Sequence, residues 1–320
     1  MSGKTLSIII PCYCSAQTVG GVVAEACDTM AQRPGQEFEI LLVDDGSPDG
    51  GAVYRVIRQL AAENPHVRGL SFARNFGQHS ALLAGMRESA GDICVFLDDD
   101  GQTPANEIWS LVDALNEEVD VVYASYAANR KKHSAFRNFG SALNEKMLEI
   151  ILKKPKHLEV TSFFAAKRYV IEEACGYTNP FPYAIGLILR TTDRIVNVPV
   201  HHRAREVGRS GYSFKKLVAL WVNGFTAFSV LPLRIATMTG FGFSLFGFLY
   251  TVYLVIRKLV DPAVPMGYSS LMAGLLVIGG ILMLLVGMLG EYVGRIYVSL
   301  NNNPQYVIRS RTGEKRTGSR

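Results

Sequence analysis

Short apolar runs alternate with longer helical patterns along the first half of the chain. The short runs predict five strands, at residues 6–11, 39–43, 68–72, 93–97 and 119–124. The stretches between them predict four helices, at residues 18–32, 51–63, 79–88 and 104–117. This alternation indicates an α/β fold, in which a mostly parallel sheet carries helices on both faces.

Polar residues follow three of the predicted strands. They are Pro11-Cys12-Tyr13 after the first strand, Asp44-Asp45-Gly46-Ser47 after the second and residues 98–102 after the fourth. In open α/β sheets, ligands bind beyond the carboxyl ends of the strands. These three strand ends are therefore the candidate functional site.

Three consecutive aspartates, Asp98, Asp99 and Asp100, end the fourth predicted strand. Successive strand residues point to opposite faces. If the extended backbone continues, Asp98 and Asp100 share a side with Gln102, and Asp99 faces away. Two carboxylates and an amide oxygen on one side suit a hard divalent cation such as Mg²⁺ or Mn²⁺. The alternative is a polar turn in which the aspartates cap backbone groups.

Two long stretches without charged residues lie in the second half of the chain. Residues 235–256 would span about 33 Å as a helix, which is enough to cross a bilayer. A second stretch, 262–290, has its apolar core at 271–290, after a short turn that contains proline and glycine. We therefore predict a transmembrane hairpin at residues 234–295. A pair of buried core helices is the alternative.

Basic residues predict the orientation of this hairpin. Lys215, Lys216 and Arg234 precede the first span, and Arg295 with a basic tail follows the second. The positive-inside rule then places both termini in the cytoplasm. We expect the two spans to lie in the inner (plasma) membrane.

Composition and missing motifs exclude several functional classes. The five cysteines are scattered, so neither a zinc site nor a disulfide framework is expected. No G-x-G-x-x-G follows the first strand, which argues against a dehydrogenase. The formal charge is +5, and no basic motif with interleaved aromatic residues is present. Nucleic acid is therefore not an expected partner.

The motifs, in their order and spacing, resemble those of family-2 glycosyltransferases with the GT-A fold. The closer resemblance is to the polyprenyl-phosphate glycosyltransferase branch, which includes dolichol-phosphate mannose synthases and bacterial undecaprenyl-phosphate sugar transferases. It implies a Rossmann-like sheet and a nucleotide-sugar donor. The segments that carry it are residues 9–13, 43–50, 74–77, 97–102, 205–212, 290–295 and 304–306.

The resemblance implies a nucleotide site at the first two strand ends. Pro11, Tyr13 and Asp44 would hold the base and ribose, with Asp44 accepting a hydrogen bond from the base. Asp45 would support that pocket.

The resemblance also implies a metal site at the aspartate triplet. Asp98, Asp100 and Gln102 match the D-x-D-x-Q metal set of the family, which are the same three residues that strand parity selects. A Mg²⁺ or Mn²⁺ ion on Asp98 and Asp100 would bridge the diphosphate of the nucleotide-sugar. These two aspartates are therefore the expected catalytic residues.

The acceptor implied by the resemblance is the phosphate of a polyprenyl lipid. Arg137 and Ser141 match an R-x-x-x-S pair of the family and lie one helical turn apart, so both could reach one phosphate. Arg205 and Arg209 would add charge-assisted hydrogen bonds. Each arginine has an alternative interpretation, as a solvated charge or a contact with a lipid headgroup.

The resulting hypothesis is inverting, metal-dependent transfer of a sugar to undecaprenyl phosphate at the cytoplasmic membrane face. UDP is favoured over GDP as the nucleotide. Ser162 stands where many bacterial members have an aspartate that has been considered as a base. A phosphate monoester is mostly dianionic at pH 7, so no essential protein base is expected. The alternatives are transfer to a glycan or another lipid, and a catalytically silent membrane scaffold.

These expectations divide the chain into four parts. A cytoplasmic GT-A catalytic domain covers residues 1–212, the hairpin covers 234–295, and a basic cytoplasmic tail covers 296–320. Residues 213–233 predict an amphipathic interfacial helix, with a buried helix of the catalytic domain as the alternative. Glycines in the hairpin would let helices approach closely, which suggests a homo-oligomer.

Overall fold

The chain divides into two units in the computed structural model. The first comprises Met1–Ser213 together with Pro304–Arg320, and the second comprises Phe214–Asn303. The structure describes residues 4–126, 158–180, 182–201, 231–260, 267–300 and 303–313.

A single sheet lies at the centre of the first unit. Within the described residues it has eight strands, in the order β7-β5-β6-β4-β1-β2-β3-β8. Six of them point the same way, and β6 and β8 run antiparallel to their neighbours. The strands are β1 Leu6–Cys12, β2 Phe38–Asp44, β3 Val67–Phe72, β4 Ile93–Phe96, β5 Val121–Ser125, β6 Phe164–Lys167, β7 Ile195–Pro199 and β8 Ile308–Thr312.

Helices cover both faces of this sheet, as the sequence predicts. Side chains of β1 alternate between the faces: Ile8 and Ile10 pack with α1, α2 and α4, while Ile9 packs with α3, α5 and α6. A short 3₁₀ turn, Ala105–Glu107, precedes α4. The helices are α1 Val19–Ala31, α2 Ala52–Glu63, α3 Gln78–Glu88, α4 Ile108–Ala114, α5 Arg168–Cys175 and α6 Ala184–Thr191.

All five predicted strands and all four predicted helices are present, with small shifts of their ends. Five elements were not predicted: β6, α5, α6, β7 and β8. The strand β6 has only four residues, two of them alanines. In β7 the central residue is Asn197. Neither strand contains the apolar run on which the sequence prediction depends.

The last strand replaces part of the tail predicted at 296–320. Half-buried and exposed side chains alternate along Ile308–Thr312, and its exposed positions are arginines, which give the segment a polar composition. It pairs antiparallel with β3. Just before it, Tyr306 stacks on Phe72 with ring centroids 5.2 Å apart. The side chain of Gln305 donates hydrogen bonds to two backbone carbonyls of the loop before α6.

Two helices form the described part of the second unit, α7 Leu231–Val260 and α8 Tyr268–Leu300. They contain the spans predicted at 235–256 and 271–290, and both extend beyond them. Among the described residues, none of the helices meets the length and apolar character needed for a membrane crossing. Most of the predicted interfacial segment, 213–230, lies outside the described residues.

Candidate active site

The carboxyl ends of β1, β2 and β4 meet at one edge of the sheet. Parallel pairing places β1 between β2 and β4, and the loops that follow these strands line one cavity of about 510 Å³. The predicted site residues in its wall are Pro11, Tyr13, Asp45, Asp98 and Asp100.

Asp98 is half-buried in the wall of this cavity. Its carboxylate accepts hydrogen bonds from the hydroxyls of Ser162 and Thr103. Burial raises the pKa of Asp98 to about 6, and the negative charges of Asp100 and Asp99 add to the effect. The hydrogen bond from Ser162 lowers the pKa of Asp98. Ser162, which the sequence marked only as a missing aspartate, is therefore a direct partner of Asp98.

Strand parity does not extend through the aspartate triplet. The strand β4 ends at Phe96, and the chain turns at Gly101, where φ is +74°. In this turn the carboxylate of Asp100 accepts the backbone N–H of Gln102 at 3.0 Å. Because the strand has already ended before the triplet, side-chain alternation no longer applies to it: Asp99 lines the same cavity as its two neighbours, and Gln102 is not part of the wall. The prediction that Asp99 faces away is wrong, because it assumed an extended backbone.

Asp99 joins the loop after β4 to the loop after β1. Its carboxylate accepts the backbone N–H of Tyr13 at 2.9 Å, and its backbone carbonyl accepts the Thr18 hydroxyl at 2.6 Å. Burial raises the pKa of Asp99. The ring of Tyr13 remains half exposed at the cavity. Asp99 therefore positions the residue that is predicted to contact the nucleotide.

The two aspartates after β2 have different surroundings. The carboxylate of Asp44 accepts both the N–H and the hydroxyl of Ser47, at 3.0 and 2.7 Å, and the hydroxyl of Ser71 at 2.8 Å. Asp45, rather than Asp44, lines the cavity. These three hydrogen bonds make Asp44 the residue that fixes the turn. The predicted hydrogen bond from the nucleotide base to Asp44 would have to use the same two carboxylate oxygens that already accept these three bonds.

Asp45 connects the end of β2 to the start of α3. Its carboxylate accepts the backbone N–H groups of Phe76 and Gly77, at 2.8 and 2.9 Å. Burial nevertheless raises the pKa of Asp45 to about 6. The next residue is Gly46 with φ +61°, and a Cβ there would lie 2.2 Å from the backbone carbon of Arg74. Glycine is therefore required for this close approach.

The cavity carries excess negative charge. Four carboxylates are part of its wall, and none of the described residues that line it is a lysine or arginine. No group of three His, Cys, Asp or Glu side chains in the described part of the chain is arranged to hold a metal by itself. A divalent cation fits this charge if bound ligand or water oxygens complete its coordination, as Mg²⁺ prefers.

Comparison with known families assigns the chain to an enzyme class. The family model described as Glycosyl transferase family 2 matches residues 7–174, more than half of the chain. The chain belongs to glycosyl transferase family 2. A second model, described as GtrB C-terminal hairpin, matches residues 231–296. The protein is thus a glycosyltransferase with a nucleotide-sugar donor, and its C-terminal part resembles the hairpin of GtrB.

Solved structures share the GT-A fold of this glycosyltransferase. Glucosyl-3-phosphoglycerate synthase from Mycobacterium tuberculosis in complex with UDP is 22% identical, with a TM-score of 0.52 over 70% of this chain and 79% of that one. Its complex with Mn²⁺ and UDP-glucose has 22% identity and a TM-score of 0.51, over 70% and 78%. Mannosyl-3-phosphoglycerate synthase from Rubrobacter xylanophilus has 17% identity and a TM-score of 0.52, over 72% and 74%.

A further carboxylate of this glycosyltransferase, Glu159, acts on the same tyrosine, Tyr126, as Asp98 does. Glu159 accepts a hydrogen bond from the Ser125 hydroxyl at 2.6 Å. Burial raises the pKa of the neighbouring Tyr126, and the charges of Asp98 and Glu159 raise it further. Glu159 was not predicted, because the segment around it has no strand or helix pattern.

The predicted acceptor residues are outside the part of the glycosyltransferase that the structure describes. They are Arg137, Ser141, Arg205 and Arg209.

The three aspartates are expected to differ in their effect on turnover. Asp98→Asn and Asp100→Asn each remove a charge from the cavity wall that is predicted to hold the metal, so we expect losses in kcat of about 10² to 10³. Asp99→Asn keeps an oxygen that can accept the Tyr13 N–H, so the hydrogen bond remains but its acceptor is uncharged. We expect kcat of this variant to fall by less than about tenfold. Metal-dependent nucleotide release from the donor measures these effects. Equal losses of kcat at all three positions would contradict the assignment of Asp98 and Asp100 as catalytic residues and of Asp99 as a positioning residue.

The burial of Asp98 predicts a pH-dependent stability in metal-free protein. An unfolded aspartate has a pKa of about 3.9, so a folded pKa of about 6 disfavours ionisation in the native state. The stability due to the protonated carboxyl is complete below the unfolded pKa and is lost as the pH rises through 6. In EDTA, Asp98→Asn should therefore match wild type near pH 4 and exceed it by about 3 kcal/mol at pH 8.

Thermal unfolding of the full chain between pH 4 and 8 measures this difference. The matched control is Asp113→Asn. Arg33 lowers the pKa of exposed Asp113, so this variant should become slightly less stable than wild type as the pH rises. A stability gain for Asp98→Asn that does not change with pH would rule out the electrostatic explanation.

Proposed function

We propose that this glycosyltransferase transfers a sugar from a UDP-sugar to a polyprenyl phosphate, with inversion at the anomeric carbon. The observation that carries the proposal is the match of residues 231–296 to the GtrB C-terminal hairpin, in the same chain as a family-2 transferase domain. A hairpin of this kind in the same chain as the catalytic domain favours an acceptor that is itself a lipid.

The donor side of the proposal is supported by the cavity and by the solved relatives. A cavity of about 510 Å³ is within the range of small-molecule sites. The Mycobacterium tuberculosis synthase was solved with UDP and with Mn²⁺ and UDP-glucose. We therefore favour UDP over GDP in this chain.

Asp98 and Asp100 would hold a Mg²⁺ or Mn²⁺ ion. When bound, the cation supplies Lewis-acid stabilisation of the charge on the departing diphosphate. Asp98 is held in place for this role by Ser162 and Thr103. The predicted third ligand, Gln102, is not in the cavity wall of the structure, so donor oxygens and water would complete the coordination.

The lipid phosphate would act as the nucleophile without an essential protein base. Its second pKa is near 6, so the attacking oxygen is already mostly deprotonated at pH 7. The protein then needs to orient the phosphate. We assign this orientation to Arg137, Ser141, Arg205 and Arg209.

The location of the reaction is part of the proposal. Residues 235–256 and 271–290 carry no charge and would form the two membrane spans. Basic residues on both outer flanks favour a cytoplasmic position for both termini and for the catalytic unit. The reaction would then take place at the cytoplasmic face of the inner membrane, and close helix packing would favour a homo-oligomer.

Radiolabelled UDP-sugars, undecaprenyl phosphate and Mn²⁺ test the function of the purified full-length protein. We expect labelled lipid and release of UDP in equal amounts, with loss of both in EDTA and in Asp98→Asn. Transfer to an oligosaccharide instead of the lipid would indicate a glycan acceptor. If no UDP- or GDP-sugar lost its nucleotide in the presence of metal, the scaffold alternative would be correct.

Glu159→Gln tests whether a protein base is needed. The variant keeps an oxygen for the Ser125 hydroxyl but removes the carboxylate. We expect kcat to remain within about tenfold of wild type, because the acceptor is already ionised. Ser125→Ala is the matched control for loss of this hydrogen bond. A loss of more than about 10² in Glu159→Gln, with UDP affinity unchanged, would identify Glu159 as the base and contradict the proposal.

A further inference from the structure

A second, smaller cavity adjoins the donor cavity. Its volume is about 80 Å³. The two cavities share Pro11, Gln78, Asp98 and Ser162 in their walls. A group bound beside Asp98 can therefore reach both.

The wall of the small cavity is mostly apolar. Leu82, Leu97 and Phe164 are buried, and each belongs to one of the packed cores that hold the sheet and helices together. Ile185 at the start of α6 completes the apolar part. The apolar part of the wall is therefore formed largely by the packed interior of the first unit.

His79, near the start of α3, supplies a polar group to this wall. Part of the residue is accessible, but Nδ1 is buried and has no hydrogen-bond partner among the described residues. The ring packs edge-on against Tyr183, with ring centroids 4.7 Å apart. Burial lowers the pKa of His79 to about 4, so the imidazole is neutral at physiological pH. A buried polar atom without a partner is unfavourable, and a ligand atom that pairs with it removes that cost.

The position of the small cavity along the sheet indicates which part of the donor reaches it. From β2 through β1 to β4 and β6, the sheet edge presents Asp45, then Tyr13, then Asp98 and then Phe164. The predicted nucleotide contacts lie at the β2 and β1 end, and the diphosphate would lie at Asp98. The sugar follows the diphosphate, so the small cavity lies on the sugar side.

We propose that the small cavity binds an N-acylamino substituent of the donor sugar, with His79 pairing with the amide and Leu82 and Ile185 contacting the acyl carbon. This inference rests on the proposed function and adds the class of sugar. His79 is then a specificity-determining residue of the donor site.

The size and chemistry of the cavity favour this group over others. A water molecule occupies about 30 Å³ of liquid, so the cavity holds about two or three waters, or a group of roughly four non-hydrogen atoms. An acetamido group has this size and combines one polar and one apolar side. A charged substituent would lose its hydration against apolar walls. A hydroxyl alone would leave those walls without contacts.

Competition against labelled UDP, with Mn²⁺ and the full-length protein, tests the inference. UDP-N-acetylglucosamine and UDP-N-acetylgalactosamine are compared with UDP-glucose and UDP-galactose, which differ from them only at the acylamino position. We expect at least one acylated donor to bind about tenfold more tightly than its parent sugar. In His79→Phe, which removes the nitrogen and adds an apolar ring atom to the wall, this preference should disappear while UDP affinity stays within about twofold of wild type.

Two further variants separate recognition from structural damage. His79→Asn keeps a polar atom near the position of Nδ1 and should retain most of the preference. His66→Phe is the matched control, because His66 stacks on Phe38 with centroids 4.2 Å apart and lines neither cavity. It should keep the full preference.

Equal affinity of wild type for acylated and parent donors would overturn the inference, and so would a preference that persists in His79→Phe. Water alone in the small cavity of a complex with an acylated donor would overturn it as well. These outcomes are distinct from failure of the proposed function. That failure would appear as absence of Mn²⁺-dependent UDP binding, or as absence of sugar transfer to the lipid phosphate by every donor.

Discussion

The parallel register of β1 with β2 and β4 is the constraint on which the site depends. It brings three strand ends to one edge, where the loops after β2 and β4 contribute carboxylates and the loop after β1 contributes Tyr13 to the same cavity. The carboxylates then hold the loops to one another. Asp45 binds the backbone that leads into α3, and Asp99 binds the backbone of Tyr13. The groups that would meet the donor are therefore also the links that keep the cavity in shape.

Buried carboxylates have different partners at the two ends of the sheet. Near the amino ends of the strands, buried Glu39 pairs with buried Arg68 at 2.7 Å and also accepts the Ser7 hydroxyl. At the carboxyl ends, hydroxyls and backbone N–H groups bind the aspartates, and no basic side chain of the described residues enters the cavity wall. Such groups offset only part of the loss of hydration. Binding of a cation would complete the compensation, so donor binding and stability are coupled at this edge.

The parts of the fold that the sequence predicts are those with strong local patterns. Five apolar runs identified their strands, and the polar residues at three strand ends identified the cavity. Strand parity failed at Asp99 because β4 already ends at Phe96, and an alternating pattern contains no information on where a strand ends. The contact between Ser162 and Asp98 joins residues 64 positions apart, through the antiparallel pairing of β4 with β6. A pairing of this kind leaves no periodic signal in either segment.

The strand β8 gives the chain an unusual order of assembly. Arg311 on this strand contacts Glu88, which lies 223 residues earlier in the chain. At a synthesis rate of about 5 to 20 residues per second, the free edge of β3 waits roughly 10 to 45 seconds for its partner. During that time its backbone donors and acceptors remain open to other strands. The sheet of the first unit is complete only after the second unit has been synthesised, because β8 follows α8 in the chain. A nascent chain that stops within α7 or α8 therefore lacks one edge strand of the transferase sheet.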